Sequence, residues 1–115
     1  MEQGVRPIGW IRAAQRAFNA FAPPVRDRIG TALTIAARGS KADVAKPMRG
    51  LGSRVMEIAV RYRTDAWRVV YVSELSGSLW VVHAFQKVKK GNPEPKSEID
   101  LIKARLSHLR KELDK

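Results

Sequence analysis

His83 and Arg68 have the side chains best suited to chemistry in this sequence. The histidine has an ordinary pKa of about 6.5, so it can give or take a proton at neutral pH. The guanidinium of Arg68 presents a rigid fork that can hold two oxygens of a phosphate group. Each residue could instead serve only the fold: His83 could hydrogen-bond within a sheet, and Arg68 could be an ion-paired strand residue. His108, the other histidine, is predicted to lie on the polar side of a helix.

The charge of the chain indicates a polyanionic partner. There are 22 Lys and Arg against 11 Asp and Glu among 115 residues, a formal net charge of +11. Charge of one sign destabilises a folded chain by self-repulsion, and it is usually retained because an acidic or polyanionic partner binds. Residues 46–92 hold nine basic and three acidic residues, so we expect a phosphate backbone to bind there. A surface that serves only solubility is the alternative.

The composition also excludes several classes of site. There is no cysteine, which rules out disulfides, a cysteine nucleophile and thiolate metal sites. With two histidines and no cluster of ligand-type residues, we predict neither a metal site nor a small-molecule cofactor. No stretch approaches the roughly 20 apolar residues that span a bilayer. We therefore expect one cytoplasmic domain, residues 1–115, that makes no membrane contact.

The spacing of apolar residues predicts the elements in the first half of the chain. Residues 7–11 form a short strand, and helical spacing begins at Arg12. Pro23 and Pro24 break this helix, and Pro24 can open a second one that Gly39 ends. The two helices are expected to form an antiparallel hairpin. Residues 40–54 are polar and rich in cations, which is typical of a loop.

The second half of the chain predicts three strands and a helix. Strand-like runs occupy residues 55–63, 66–72 and 79–85, and their short connections favour antiparallel pairing. In the first run Glu57 lies on the opposite face from the large apolar residues. A basic loop covers 87–95, Ser97 can cap the last helix, and the apolar stripe of that helix consists of Ile99, Ile102, Leu106, Leu109 and Leu113. That stripe could pack on the sheet of this chain or form a groove for a partner.

The residues that fill these elements resemble a family of small bacterial toxins. Lys46-Pro47-Met48-Arg49-Gly50 resembles the K-P-L-x-G loop of the RelE/ParE superfamily, and Trp67-Arg68-Val69-Val70-Tyr71 is similar to its Y-R-x-x-Y strand. The stretch from His83 to Ile99 looks like H-x-F-x-K-K…P…E-I, the most specific of the three. The opening Pro7-Ile8-Gly9-Trp10 fits the phage-derived, HigB-like branch. The similarity spans nearly the whole chain.

The resemblance implies a toxin of a type II toxin–antitoxin pair. Such toxins enter the ribosomal A site and cut the mRNA there, so the implied enzyme is an endoribonuclease. The implied partners are the ribosome, mRNA and a helix-turn-helix antitoxin. The implied fold is α+β, RelE-like (microbial-ribonuclease-like), with a small, largely antiparallel sheet, a two-helix hairpin and a C-terminal helix. Two alternatives stay open: a ParE-like toxin that inhibits DNA gyrase without cutting, and a non-toxic phage-derived module that binds nucleic acids.

Cleavage by a 2′-hydroxyl needs a base, an acid and stabilisation of charge on the phosphate, none of which requires a metal. With the resemblance, the candidate catalytic residues are His83, Arg68, Lys87, Glu57 and Tyr71. Glu57 could be the base or could orient Arg68, while Tyr71 could bind phosphate or belong to the core. Glu57 and Ala59 stand where better-known members often carry Lys or Arg. The residues expected to bind RNA are Arg49, Arg54, Arg61, Arg63, Phe85, Gln86, Lys89 and Lys90.

Overall fold

A computed structural model describes residues 4–87 and 96–114. Its elements are, in chain order, β1 (Ile8–Trp10), α1 (Arg12–Asn19), α2 (Pro23–Ala37), β2 (Ala45–Pro47), β3 (Val55–Tyr62), β4 (Asp65–Leu75), β5 (Ser78–Lys87) and α3 (Lys96–Leu113). The strands among these residues form one sheet in the order β1-β5-β4-β3-β2. The β1–β5 pair is parallel and the other three pairs are antiparallel. The fold is therefore α+β, with a mostly antiparallel five-stranded sheet and three helices.

The two ends of α2 follow from local backbone chemistry. Pro23 and Pro24 occupy the first turn, where a missing N–H costs no intrahelical bond. The helix thus begins at Pro23, one residue before the predicted start. At the other end Gly39 has a φ of 95°, and its N–H donates to the Ala36 carbonyl at 2.9 Å. The Ser40 N–H donates to Ile35, so the predicted stop at Gly39 is confirmed as a left-handed helix cap.

Apolar side chains cover both faces of the sheet. On one face, α1 and α2 form the first core with the sheet, and its buried members include Ala14, Val25, Ile29, Val69 and Val81. On the other face, α3 forms the second core, and its buried members include Val55, Val70, Val82, Ile102 and Leu106. The stripe of α3 thus packs on the sheet of its own chain. Across the part of the chain that the structure describes, no helix is long and apolar enough to cross a membrane.

Three sequence predictions about the loops need correction or concern residues that the structure does not describe. The predicted loop at 40–54 contains the edge strand β2, in which Lys46 pairs with Glu57. A strand of three residues, two of them exposed, is too short to show an alternating pattern, and its pairing with β3 forms it. Ser97 lies inside α3 rather than before it. Lys87 ends β5, and the rest of the predicted basic loop, 88–95, lies outside the described residues.

Candidate functional site

A β-bulge in β5 decides the direction of His83. Val70 of β4 pairs with His83, but the next residue, Tyr71, pairs with Val81, so Val82 is an extra residue. The Val81 side chain lies in the first core, and simple alternation would put His83 on that same face. Val82 lies in the second core, as alternation requires, and the bulge turns His83 towards α3 on that same side of the sheet. Bulges commonly redirect a side chain in this way.

Glu57 and Arg68 form an ion pair on the α3 face of the sheet. Arg68 Nη1 donates to Glu57 Oε2 at 3.0 Å, and the two side chains are 22% and 5% exposed, respectively. Val70 of the central strand lies between Glu57 and His83 in the register, while Arg68 is opposite Phe85. Three adjacent strands therefore bring the predicted residues Glu57, Arg68, His83 and Phe85 onto one face.

The ring of His83 is buried and hydrogen-bonded at both nitrogens. Its Nε2 lies 2.5 Å from Glu98 Oε1, and its Nδ1 lies 2.9 Å from Arg105 Nη1. Because a guanidinium can only donate, Nδ1 is the acceptor, and the proton of the neutral ring lies on Nε2, facing Glu98. The ring also stacks on Phe85 with centroids 5.0 Å apart and an interplanar angle of 26°.

The surroundings of His83 favour its neutral form. Burial lowers its pKa below the ordinary 6.5, the hydrogen bond and charge of Glu98 oppose that shift, and the charge of Arg105 adds to it. Burial and the Arg105 guanidinium thus favour the neutral ring, in which Nε2–H donates a hydrogen bond to the Glu98 carboxylate. Burial also lowers the pKa of Arg105, although an arginine stays protonated in proteins.

Basic side chains extend this face away from the second core. Arg61 follows Glu57 by four residues on β3, so strand alternation places it on the same face, and it is exposed. Lys87 follows Phe85 by two residues on β5 and is half-buried. Arg61, Arg68, Phe85 and Lys87 together form what we call the basic face. Its cations and its aromatic ring can bind a phosphate backbone and an unpaired base.

Two predicted residues lie away from the basic face. Tyr71 is 1% exposed in the first core, on the opposite side of the sheet, and burial raises the pKa of its hydroxyl. The structure therefore does not bring Tyr71 together with Arg68 and His83. Gln86 is exposed and donates a hydrogen bond to the carboxylate of Asp65, while alternation turns it away from Phe85.

The remaining predicted RNA-binding residues lie at the periphery. Arg49 is exposed in the segment after β2, and Arg54 is paired with Glu74 at 2.5 Å. The Arg63 guanidinium lies 5.2 Å from the centre of the Tyr62 ring. Lys89 and Lys90 lie outside the described residues. Within the described ranges, no group of three or more His, Cys, Asp or Glu could hold a metal ion.

Sequence reasoning missed Glu98 and Arg105 as members of this site. Glu98 is the glutamate of the E-I motif, but on a helical wheel both residues look like ordinary charged residues of an amphipathic helix. The tertiary contact with His83 is what places them in the site. One signal was present in the sequence. The residues are seven apart, and the predicted core residue Ile102 lies between them, which puts all three on adjoining sides of one helix face.

The fold and the site define a small α+β domain in which Glu57, Arg68, His83 and the basic face lie on the α3 side of the sheet. The chain belongs to the family described as "Phage derived protein Gp49-like (DUF891)", whose model matches residues 16–107. The match runs from α1 to α3 and includes Glu57, Arg68, His83 and Arg105. A search of curated proteins and a search of solved structures each gave no match.

Proposed function

We propose that this protein is the toxin of a type II toxin–antitoxin pair, of the RelE/HigB-like kind, and that it cuts mRNA on the ribosome. The observation that carries the proposal is the convergence of Glu57, Arg68 and His83 from three strands onto one face, next to Phe85. The formal charge of +11 supports a nucleic-acid target. Membership of a phage-derived family and the sequence resemblance to RelE-like toxins support the same assignment.

The chemistry expected at this face is attack of a ribose 2′-oxygen on the adjacent phosphate. A new bond from O2′ to phosphorus forms as the bond to O5′ breaks, which leaves a 2′,3′-cyclic phosphate and a 5′-hydroxyl. Arg68 is proposed to hold the phosphate, and Glu57 orients Arg68 or takes the 2′-proton. His83 is the proposed acid or hydrogen-bond donor, and Lys87 stabilises the added negative charge. Phe85 would stack on a base of the substrate.

The partners in this proposal are the ribosome with its mRNA and a helix-turn-helix antitoxin, all in the cytoplasm. The basic face is the part of the described surface that we assign to RNA, with Arg61 as a backbone contact. Arg49, Arg54 and Arg63 are proposed to make further contacts with the RNA backbone. A single RelE-like domain would carry all of these functions.

Expression of the chain in growing bacteria tests the proposal. We expect protein synthesis to stop and new mRNA ends to appear within translated regions. A double variant, Glu57→Gln with Arg68→Gln, keeps the net charge and should abolish both effects. A matched double variant, Lys111→Gln with Glu112→Gln, changes two exposed residues of α3 and should retain them. Continued growth with intact mRNA at normal protein levels would refute the assignment.

One observation favours a second candidate function. Both ring nitrogens of His83 are engaged by α3, which suits a protein that binds a target without cutting RNA. The corresponding candidate is a ParE-like toxin that inhibits DNA gyrase. Loss of supercoiling by purified gyrase in the presence of the protein, with intact mRNA in cells, would select this second function. A non-toxic nucleic-acid-binding module would bind RNA and affect neither process.

A further inference from the structure

Glu98 and Arg105 reach His83 from one side of α3. They are seven residues apart, which is about two helical turns or roughly 10 Å along the axis. Ile102 lies between them and is fully buried against the sheet, so this side of the helix faces β5. The imidazole is held between the two charged groups, with Nε2 at 2.5 Å from Glu98 Oε1 and Nδ1 at 2.9 Å from Arg105 Nη1.

Arg105 is itself fixed by the bulge in β5. The same Nη1 that faces His83 donates to the Val82 carbonyl at 3.0 Å, so the guanidinium is anchored to the backbone next to the ring. A proton on Nδ1 would point directly at this N–H donor, and the positive charge of Arg105 opposes a charged ring. The carboxylate of Glu98 on the other side accepts a hydrogen bond from a proton-bearing Nε2.

We propose that Glu98 and Arg105 are positioning residues that hold His83 as a neutral ring with its proton on Nε2, so that His83 acts as a hydrogen-bond donor. The state of the ring is inferred from geometry alone, whereas its effect on RNA cleavage rests on the proposed function. The other charged groups of this face include Glu57 and Arg68, which are paired with each other on β3 and β4, and Arg61 and Lys87 of the basic face.

These two contacts limit what His83 can do in the reaction. Nδ1 is occupied by Arg105, so the ring cannot serve as a base at that nitrogen. When a phosphate oxygen replaces Glu98 at Nε2, the neutral N–H can stabilise the developing negative charge without giving up its proton. Protonation of the leaving O5′ then falls to another group, and Lys87 lies on the same face.

Nitrogen-resolved NMR of the ¹⁵N-labelled full chain tests the ring state without any RNA. The chain has two histidines, and a His108→Gln variant assigns their signals. At about pH 7 we expect a proton coupled to Nε2 of His83, an unprotonated Nδ1, and titration only below the ordinary histidine pKa. A proton on Nδ1, or a doubly protonated ring at this pH, would overturn the proposal.

Variants of α3 connect the ring state to activity. Arg105→Gln should release Nδ1, give a mixture of the two ring tautomers and lower mRNA cleavage by up to about 100-fold. Arg105→Lys should restore part of both properties, because it retains a charged donor. Lys103→Ala removes an exposed positive charge from the same helix and should change neither. Circular dichroism of each variant establishes that it is folded.

The two readouts separate the failure of this inference from failure of the proposed function. If Arg105→Gln keeps both the Nε2–H tautomer and full cleavage, the positioning role is wrong. The wild-type ring could be in the expected state and be altered by Arg105→Gln while no form of the protein cleaves RNA. In that case the positioning of His83 by α3 stands and the nuclease assignment fails.

Discussion

The ion pair between Glu57 and Arg68 shows how burial determines the effect of a charge. The carboxylate is 5% exposed, whereas the guanidinium is 22% exposed and reaches the edge of the basic face. A buried charge that loses its partner destabilises a protein much more than a pair of neutral groups in the same place. The pair is therefore expected to matter for folding as well as for function.

We predict that Arg68→Ala lowers the free energy of unfolding by about 3 kcal/mol, because it leaves the buried Glu57 carboxylate unpaired. The double variant Glu57→Gln with Arg68→Gln should lose clearly less, since two amides can hydrogen-bond to each other. Urea denaturation measures both values. Equal or larger loss in the double variant would show that the buried charge is not the cause.

The buried His83 predicts a dependence of stability on pH. Its pKa in the folded chain is lowered, first by burial, and in the unfolded chain it is about 6.5. Between these two values the unfolded chain binds more protons, so the contribution of His83 to stability is present above about pH 6.5 and is lost as the pH falls through this window.

We therefore expect the unfolding free energy of the wild type to fall between about pH 7 and about pH 5 more steeply than that of His83→Gln. The control is His108→Gln, because the side chain of His108 is 78% exposed. It should keep the wild-type slope. Identical slopes for wild type and His83→Gln would mean that the folded ring titrates normally.

At the scale of elements, the strands could be predicted well and their faces only in part. Glu57 lies opposite the apolar face of β3, as the alternation predicts. In β5 the same rule fails, because the extra residue Val82 reverses the alternation from His83 onwards. A bulge is selected by pairing with the neighbouring strand, so one strand's sequence does not reveal it. The strand β2 could not be predicted for the same reason, because it forms only through its pairing with β3.

Close packing between β1 and β5 gives a prediction at this scale. A Cβ added at Gly9 would lie 2.7 Å from the ring of Trp80, whereas at Gly30, inside α2, it would meet nothing within 4 Å. Gly9→Ala should lower the unfolding free energy by about 1–3 kcal/mol through overpacking. Gly30→Ala should raise it by about 0.5–1 kcal/mol through helix propensity. Thermal unfolding measures both changes. A shift of the unfolding temperature in the same direction for both variants would contradict the packing argument.

At the scale of the whole molecule, the most basic part of the chain is also the part that builds the basic face. The segment from 46 to 92, which has the greatest excess of basic residues, supplies β3, β4 and β5 and hence the basic face. The sequence could predict this location because charge density needs no tertiary information. It could not predict that Tyr71 lies on the far side of the sheet, or that α3 contributes Glu98 and Arg105, since both depend on how layers pack.

The dependence of RNA binding on salt tests where the charge acts. The affinity for a single-stranded RNA oligonucleotide falls as salt rises. Arg61→Gln and Lys87→Gln should each make the slope of log affinity against log salt concentration less steep, by about 0.7. Arg12→Gln and Arg38→Gln remove exposed charges from the side of the sheet that α1 and α2 cover, and they should leave the slope nearly unchanged. Equal changes for all four variants would indicate binding by net charge alone.

Cleavage of mRNA on programmed ribosomes by the purified protein is the most direct test of the central claim. We predict that the wild type and the Lys111→Gln, Glu112→Gln control cut the message and leave a 2′,3′-cyclic phosphate, while the Glu57→Gln, Arg68→Gln variant is folded and inactive. A message that stays intact with the wild type, or is cut equally by the Glu57→Gln, Arg68→Gln variant, would contradict the assignment of this face as the site of cleavage.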